Sequence, residues 1–436
     1  MQIITLNPVD FEAFARNHEY KSYYQTVSYG NVMKAIGFNV HYIGIKDNDE
    51  LIGASLIVYK EIYMGKKIAY APRGILFDYT DKEKTIELGR KIKRLFKRQG
   101  FMLFRMDPFI PATIRDKNGK TIDINKDINN IMINIKSAGF IFEKKRLYFE
   151  KEHPRFEAIK VIDKDTGTIF RKLDKNIKHK LRRASGCGIT VVVDSNKNVN
   201  ELYEFVKDKG IYSKKYLEEI VKNFNNSKLY YALLNTDSFV IEAKKRFERE
   251  EEINNNYAKR IQSMKLGKDS TKKTKILNKK MDSDRLLDVY KADLVLATDL
   301  LRDHPKGLLI AGCLTVEYEG TSYMIADGYN KNLGHLDANY LIKWFIIDDL
   351  QNRGIKYFNM NAISGNFTKK NPYKHLNEAK LGFNVVPREY IGEFNLILDR
   401  FHYALYKTFD KDKNYQVKND LKKETEGKNG KRKWVI

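Results

Sequence analysis

Three residues at the ends of apolar stretches are of types suited to chemistry. Asp107 closes "FMLFRMDP", Asn361 lies in "FNMNAISGNF", and Lys380 follows in "EAKLGF". A carboxylate at a strand end can accept or relay a proton. A cation beyond a small polar loop can stabilise an oxyanion or hold an anion. The strand ends of an open α/β sheet face the crevice where ligands bind, and the proline after Asp107 terminates its strand. The competing expectation is that Asp107 and Asn361 only cap turns.

The elements that must position these residues form an internal near-repeat. The first copy runs "ELIGASLIVYK", "KKIAYAPRGILFDY", "KEKTIELGRKIKRLFKRQG" and "FMLFRMDP". The second runs "GLLIAGCLTVEY", "TSYMIADGYNK", "DANYLIKWFIIDDLQNRG" and "IKYFNMNA". Each predicts strand, hairpin, strand, helix, glycine stop, strand. Ile86, Leu88, Ile92 and Leu95 fall near helical spacing, and Gly100 and Gly354 supply helix ends. The alternation predicts a mixed α/β sheet with helices packed on it. Asp107 and Asn361 occupy equivalent ends of the two copies. The period far exceeds that of solenoid repeats and predicts duplicated domains.

Between the copies, residues 171–183 hold seven cations, among them Lys178, Lys180, Arg182 and Arg183, against the single acid Asp174. So one-sided a helix predicts an anionic partner; the alternative is a solvated face. Residues 237–301 lack proline and are dense in charge. Phe247, Ile253, Tyr257, Ile261 and Met264 make one apolar seam; Leu277, Met281, Leu287, Tyr290 and Leu294 make another. Two seams around a polar turn predict an antiparallel helical hairpin of coiled-coil type, projecting roughly 40 Å at 1.5 Å per residue. The segment 411–436 is basic and reads as a helix or a disordered tail.

The whole chain of 436 residues carries 80 Lys and Arg against 56 Asp and Glu, a net charge of +24. Such a balance draws a protein to nucleic acid, anionic lipid or phosphorylated substrates, although a lysine-rich proteome produces it too. Only Cys187 and Cys313 occur, so no CxxC or cysteine metal cluster is possible, as suits a reducing cytosol. The eight histidines, including His335 and His375, lack metal spacing and read as structural or surface residues. No phosphate-cradling glycine motif and no nucleophile elbow is present. The N-terminus is unlike a signal peptide, and no apolar run approaches the roughly 20 residues of a bilayer span. A cytoplasmic protein, able to sit on a membrane surface, is expected.

The stretches "YQTVSYGNVMKAIGF", "AYAPRGILFDYTD", "FRMDPFIP", "FNMNAISGNF" and "EAKLGFNVVPREYIGEF", in this order, resemble the Fem (FemABX-type) aminoacyltransferases that build the peptidoglycan interpeptide bridge. The resemblance implies an α/β fold of two GNAT-like domains, one at 1–165 and one at 166–236 plus 302–410, with the helical arm at 237–301 and the tail at 411–436. It implies transfer of Gly, Ser or Ala from charged tRNA to an amino group on the stem peptide of lipid-linked peptidoglycan precursor. Aminoacyl-tRNA, that precursor and the inner membrane leaflet would be the partners. No metal or cofactor is implied, because the tRNA ester is already activated. Asp107 matches a family aspartate proposed to handle the proton, and Lys380 a lysine that would hold the oxyanion or a substrate phosphate. Lys34, Arg73, Lys209 and Asn361 are the implied substrate-binding set, with Lys178, Lys180, Arg182 and Arg183 toward tRNA. The chain departs from the family in having Met33 where a lysine often stands, Gly74–Leu76 in place of Gly-Pro-Val, and Met102 in place of a tyrosine. A non-catalytic tRNA-binding or regulatory relative, or a transferase acting on another amine, are the alternatives.

Overall fold

A computed structural model describes residues 1–63, 65–143, 148–150, 152–264 and 270–407. The expected basic tail at 411–436 lies outside them. The described chain forms two sheets. The first orders its strands Gln2–Thr5, Asn39–Asp47, Glu50–Tyr63, Lys66–Ala71, Phe101–Met106, Phe394–Ile397 and Ile141–Phe142, with Leu76–Phe77 paired onto Glu50–Tyr63. The second runs Ile189–Val193, Ser227–Leu234, Leu308–Tyr318, Thr321–Tyr329, Tyr357–Ala362, Phe156–Val161, Val386–Tyr390, Pro111–Arg115 and Thr121–Ile124.

The repeat appears as one unit built twice. In the first, Glu50–Tyr63 and Lys66–Ala71 pair antiparallel; after the helix Lys82–Arg98, Phe101–Met106 lies parallel to Lys66–Ala71. In the second, Leu308–Tyr318 and Thr321–Tyr329 pair antiparallel; after the helix Ala338–Asn352, Tyr357–Ala362 lies parallel to Thr321–Tyr329. The crossover helices bury Leu88, Ile92 and Phe96 in one copy and Ile342, Ile346 and Leu350 in the other. Gly100 and Gly354 take positive φ, 82° and 72°, directly after these helices, where a side chain would be strained.

Each sheet is completed by chain from the other half. Phe394–Ile397 pairs antiparallel with Phe101–Met106, while Phe156–Val161 pairs with both Tyr357–Ala362 and Val386–Tyr390. Pro111–Arg115 extends the second sheet through Val386–Tyr390. Sheet membership therefore crosses the boundary placed at residues 165 and 166. The halves also share a core, in which Tyr23, Tyr29, Val32 and Leu56 pack with Leu202, Leu217, Leu229 and Leu314.

The charge-dense insertion forms two helices, Thr236–Ser263 and Ser270–Asp303, packed on each other. They depart from adjacent strands whose ends face each other at Leu234 and Leu308, and Thr236 Oγ1 donates to the His304 carbonyl at 2.8 Å. Phe239, Ala243 and Ala297 root the pair in the second-sheet core. Farther out the contact is partly polar: Asn254 Nδ2 donates to Ser283 Oγ (3.2 Å) and Asp284 Oδ1 (2.8 Å), and Ser283 Oγ donates to Glu250 (2.6 Å). Leu277 and Met281, expected in the seam, are 40% and 54% exposed. Ile276, Lys280, Ser283 and Leu287 take the less exposed face at helical spacing instead.

Candidate active site

A cavity of about 1040 Å³ opens between the two sheets. One wall carries Tyr70, Arg105, Glu152 and His153; the other carries Lys209, Asp327, Asn361 and Lys380; Tyr23, Tyr24, Tyr212 and Tyr216 lie between. Asn361, Lys380 and Lys209, separated by up to 171 positions in the sequence, are thus brought together.

On the first wall, Asp107 follows the strand Phe101–Met106 and is 1% exposed. It does not line the cavity. It reaches it through two partners that do: Tyr70 donates to Asp107 Oδ1 at 2.8 Å, and His153 Nδ1 lies 2.9 Å from Oδ2 and 2.5 Å from the Tyr70 hydroxyl. From behind, the Arg73 N–H donates to Asp107 Oδ1 at 2.7 Å, and its guanidinium lies 3.5 Å from Oδ2. The same guanidinium donates to Glu157 Oε1 at 2.6 Å, and Asn359 donates to Glu157 Oε2 at 2.6 Å. Arg73 is therefore not an exposed substrate ligand. Its side chain is 2% exposed and ties the first sheet to the second through a buried ion-pair chain. Beside it, Arg105 pairs with Glu152 and donates to Asn395 (2.9 Å), and the Glu152 N–H donates to Glu393 (2.8 Å). Burial, reinforced by Glu152, pushes the Glu393 carboxyl up to about 8 against the pull of Arg105.

On the second wall, lysines surround one carboxylate. Lys343 donates to Asp327 Oδ2 at 2.8 Å; Lys209 donates to the Asp327 carbonyl at 2.7 Å and lies 4.0 Å from Oδ1. Burial alone would raise the Asp327 carboxyl, but Lys343, Lys209 and Lys380 hold it well below the usual carboxylate range. Lys380, 5% exposed, donates to the Ala362 carbonyl at 2.7 Å. Burial brings its ammonium down from an ordinary value near 10.5 to about 7, with Lys343 and Lys209 pushing the same way and Asp327 opposing. Asn361 takes a positive φ of 63° at the end of its strand. Its Nδ2 donates to the Met324 carbonyl at 3.2 Å and its Oδ1 accepts from the Ala362 N–H at 2.7 Å. It thus clamps the point where the parallel strands diverge.

The FemAB family model matches residues 6–411. The chain belongs to the FemAB family. The aminoacyltransferase FemA of Staphylococcus aureus (strain bovine RF122 / ET3-1) is 24% identical over 435 residues, covering 95% of this chain and 99% of that protein. FemA from strain MW2 gives the same identity and coverage. The crystal structure of FemX superposes with a TM-score of 0.66 at 18% identity, over 93% of this chain and 99% of that one; it shares the mixed α/β fold.

Against this FemAB framework, Lys34 stands apart: it is exposed on the helix Val27–Ala35, its Nζ 5.8 Å from the Tyr42 ring centroid. Met33, one position earlier, lines the cavity. The basic helix, Lys175–Ser185, buries Ile177, Leu181 and Ala184. Lys180 (3.0 Å) and Arg183 are tied to the buried carboxylate of Asp337, and Lys178 donates to the Arg171 carbonyl at 2.7 Å. Arg182 is exposed. His153, expected to be structural or surface, is the cavity-lining partner of Asp107. Nothing in "KEHPRF" marks it, because Asp107 is 46 residues away. Asp327 and Lys343 did leave a trace, each a charge inside an apolar stretch, "SYMIADGY" and "YLIKWFII". Among the described residues no cluster suited to a metal occurs, and no helix is long and apolar enough to cross a membrane.

Proposed function

We propose that the protein transfers an amino acid from charged tRNA to an amino group on the stem peptide of lipid-linked peptidoglycan precursor, extending the interpeptide bridge. The observation that carries this reading is a cavity, in a FemAB chain, that sets the His153–Asp107 pair against Lys380 and Asn361. The acceptor amine must lose a proton, and the ester carbonyl must pass through a tetrahedral oxyanion. The single Tyr70 proton goes to Asp107, so the hydrogen on His153 must sit at Nδ1 to satisfy both neighbours. That leaves Nε2 of the neutral ring as the basic atom. Asp107, having no access to the cavity, then acts as a positioning residue that fixes the tautomer and supports the cation formed when His153 takes the proton. Lys380 in its protonated form, present at about pH 7 and below, supplies the cation for the oxyanion or a precursor phosphate, and Lys209 and Lys343 share Asp327 with it.

Net charge +24 favours both polyanionic substrates, and the exposed cations of the Lys175–Ser185 helix supply a surface for tRNA. The two sheets with their crossover helices correspond to the two GNAT-like domains of this reading, and the paired helices to its coiled-coil arm. Incubating the protein with purified lipid-linked precursor and each of glycyl-, seryl- and alanyl-tRNA, and measuring product mass, tests the assignment. One added residue from one of the three supports it; no mass gain with any charged tRNA rejects it.

A further inference from the structure

A second pocket, of about 380 Å³, lies away from the first along the same central strands, between Tyr318–Tyr323, Tyr357–Asn359 and Arg388–Tyr390. Three polar atoms there are buried and have no hydrogen-bond partner among the described residues: the Tyr318 hydroxyl, the Tyr390 hydroxyl and Arg388 Nε. A buried polar group without a partner is destabilising, so three of them on the residues lining one pocket call for a ligand that accepts their hydrogen bonds. Tyr390 is 1% exposed. Its ring is fixed by stacking on Phe109 (centroids 4.4 Å apart, 17° between planes) and by the Arg73 guanidinium 5.0 Å away. Burial pushes both tyrosines above their ordinary range, so both hydroxyls stay protonated and are available as donors.

The charges are sorted by depth. The donors lie inside, with the Arg388 cation. The mouth carries three exposed acids, Glu19, Asp123 and Glu319, against the lining cation Lys21. Glu319 is paired with Arg16 at 3.4 Å, so Glu19 and Asp123 leave the acids in excess. A simple anion would meet those acids on entry. A ligand with an anionic end and a cationic end fits both zones, and the volume lies at the small end of ligand pockets, about 300–1,000 Å³.

We propose that this pocket binds a small zwitterion, a free amino acid or a short peptide, with its terminal carboxylate held by Arg388, Tyr390 and Tyr318 and its ammonium facing the acidic mouth. The site is separate from the transfer cavity and does not depend on the reaction assigned to it.

Saturation-transfer NMR and titration on the full chain, using alanine, alanyl-alanine, alanyl-alanine amide and inorganic phosphate, test this. Alanine and alanyl-alanine distinguish the two ligand sources. Amidation should weaken dipeptide binding by about tenfold or more, because the donors then face a neutral group. Arg388→Gln should weaken it by a similar factor. Tyr390→Phe removes one hydroxyl and keeps the ring, so it should weaken binding several-fold without lowering the unfolding midpoint. Lys380→Met, in the other cavity, should leave this binding unchanged. Any of three results overturns the proposal: equal binding of the amide and the free dipeptide, tighter binding of phosphate than of either zwitterion, or no binding of alanine or alanyl-alanine, which leaves a hydrated crevice only.

Discussion

Two carboxylates belong to opposite walls of one cavity, Asp327 lining it and Asp107 set behind its lining, and their surroundings differ in kind. Asp107 sits behind His153 and Tyr70 with Arg73 at its back; Asp327 sits among Lys209, Lys343 and Lys380. The first wall presents a hydrogen-bonded Tyr70–His153–Asp107 group. The second presents a surplus of cations over one anion. Both hang on the same strand–hairpin–helix–strand unit. A duplicated scaffold has thus been given proton handling at one end and positive charge at the other, with Asp107 just past a strand of one copy and Asp327 within a strand of the other.

Removing Lys380 breaks that contrast most sharply. Lys380→Met should lower the transfer rate by about 10³, the upper range for loss of one oxyanion-stabilising group, in a single-turnover assay with charged tRNA. A loss below tenfold would return Lys380 to a packing role. Asp327→Asn should act on stability instead. It leaves the buried Lys343 without its ion-pair partner and should destabilise by about 3 kcal/mol, the scale for breaking a buried pair, seen as a lower urea midpoint at unchanged slope.

On the opposite wall, Asp107→Asn should slow transfer by about 10² with folding intact. His153→Gln should match it, and the double variant should be little worse than either single one, since the two act as a unit. Additive losses would separate them.

Acidity sharpens the comparison further. The folded-state value of Lys380 is lowered to about 7, so between there and its ordinary value the unfolded chain binds more protons than the folded one. Stability must rise with pH across that window and lose the contribution below it. The wild type should therefore gain on Lys380→Met as pH climbs from 7 toward 10. The smallest effect belongs to the basic helix. Lys178→Glu with Arg182→Glu should weaken tRNA binding several-fold, each lost phosphate contact flattening the salt slope by about 0.9. An unchanged slope would assign both residues to a solvated face.

The duplicated unit was legible in the sequence because hydrophobic period and glycine stops are local signals. Residues 82–98 and 338–352 are helices followed at once by strands, as Gly100 and Gly354 announce. Asn361 fell into the cavity for the same reason, near the end of a recognisable strand, whereas Lys380 comes from the helix Lys374–Leu381. The His153–Asp107 contact joins residues 46 positions apart, and Arg73 reaches Glu157 across 84. Pairings of that range leave no periodic trace, so Arg73 read as a ligand and His153 as filler. Leu277 and Met281 show a different limit: helical spacing offers neighbouring registers, and the Asn254–Ser283 hydrogen bond belongs to the other one.

The exchange of strands between the halves sets a timetable for making the protein. Arg105 and Asn395, hydrogen-bonded neighbours in the first sheet, are 290 residues apart. At roughly 5–20 residues per second, the edge of Phe101–Met106 waits about 15–60 s for its partner to be synthesised. Throughout that interval the nascent chain carries an unpaired apolar strand, the kind of edge that recruits other chains. Any fragment ending before residue 394 would keep that edge open indefinitely, so the last described strand is also the one that closes the first-born half.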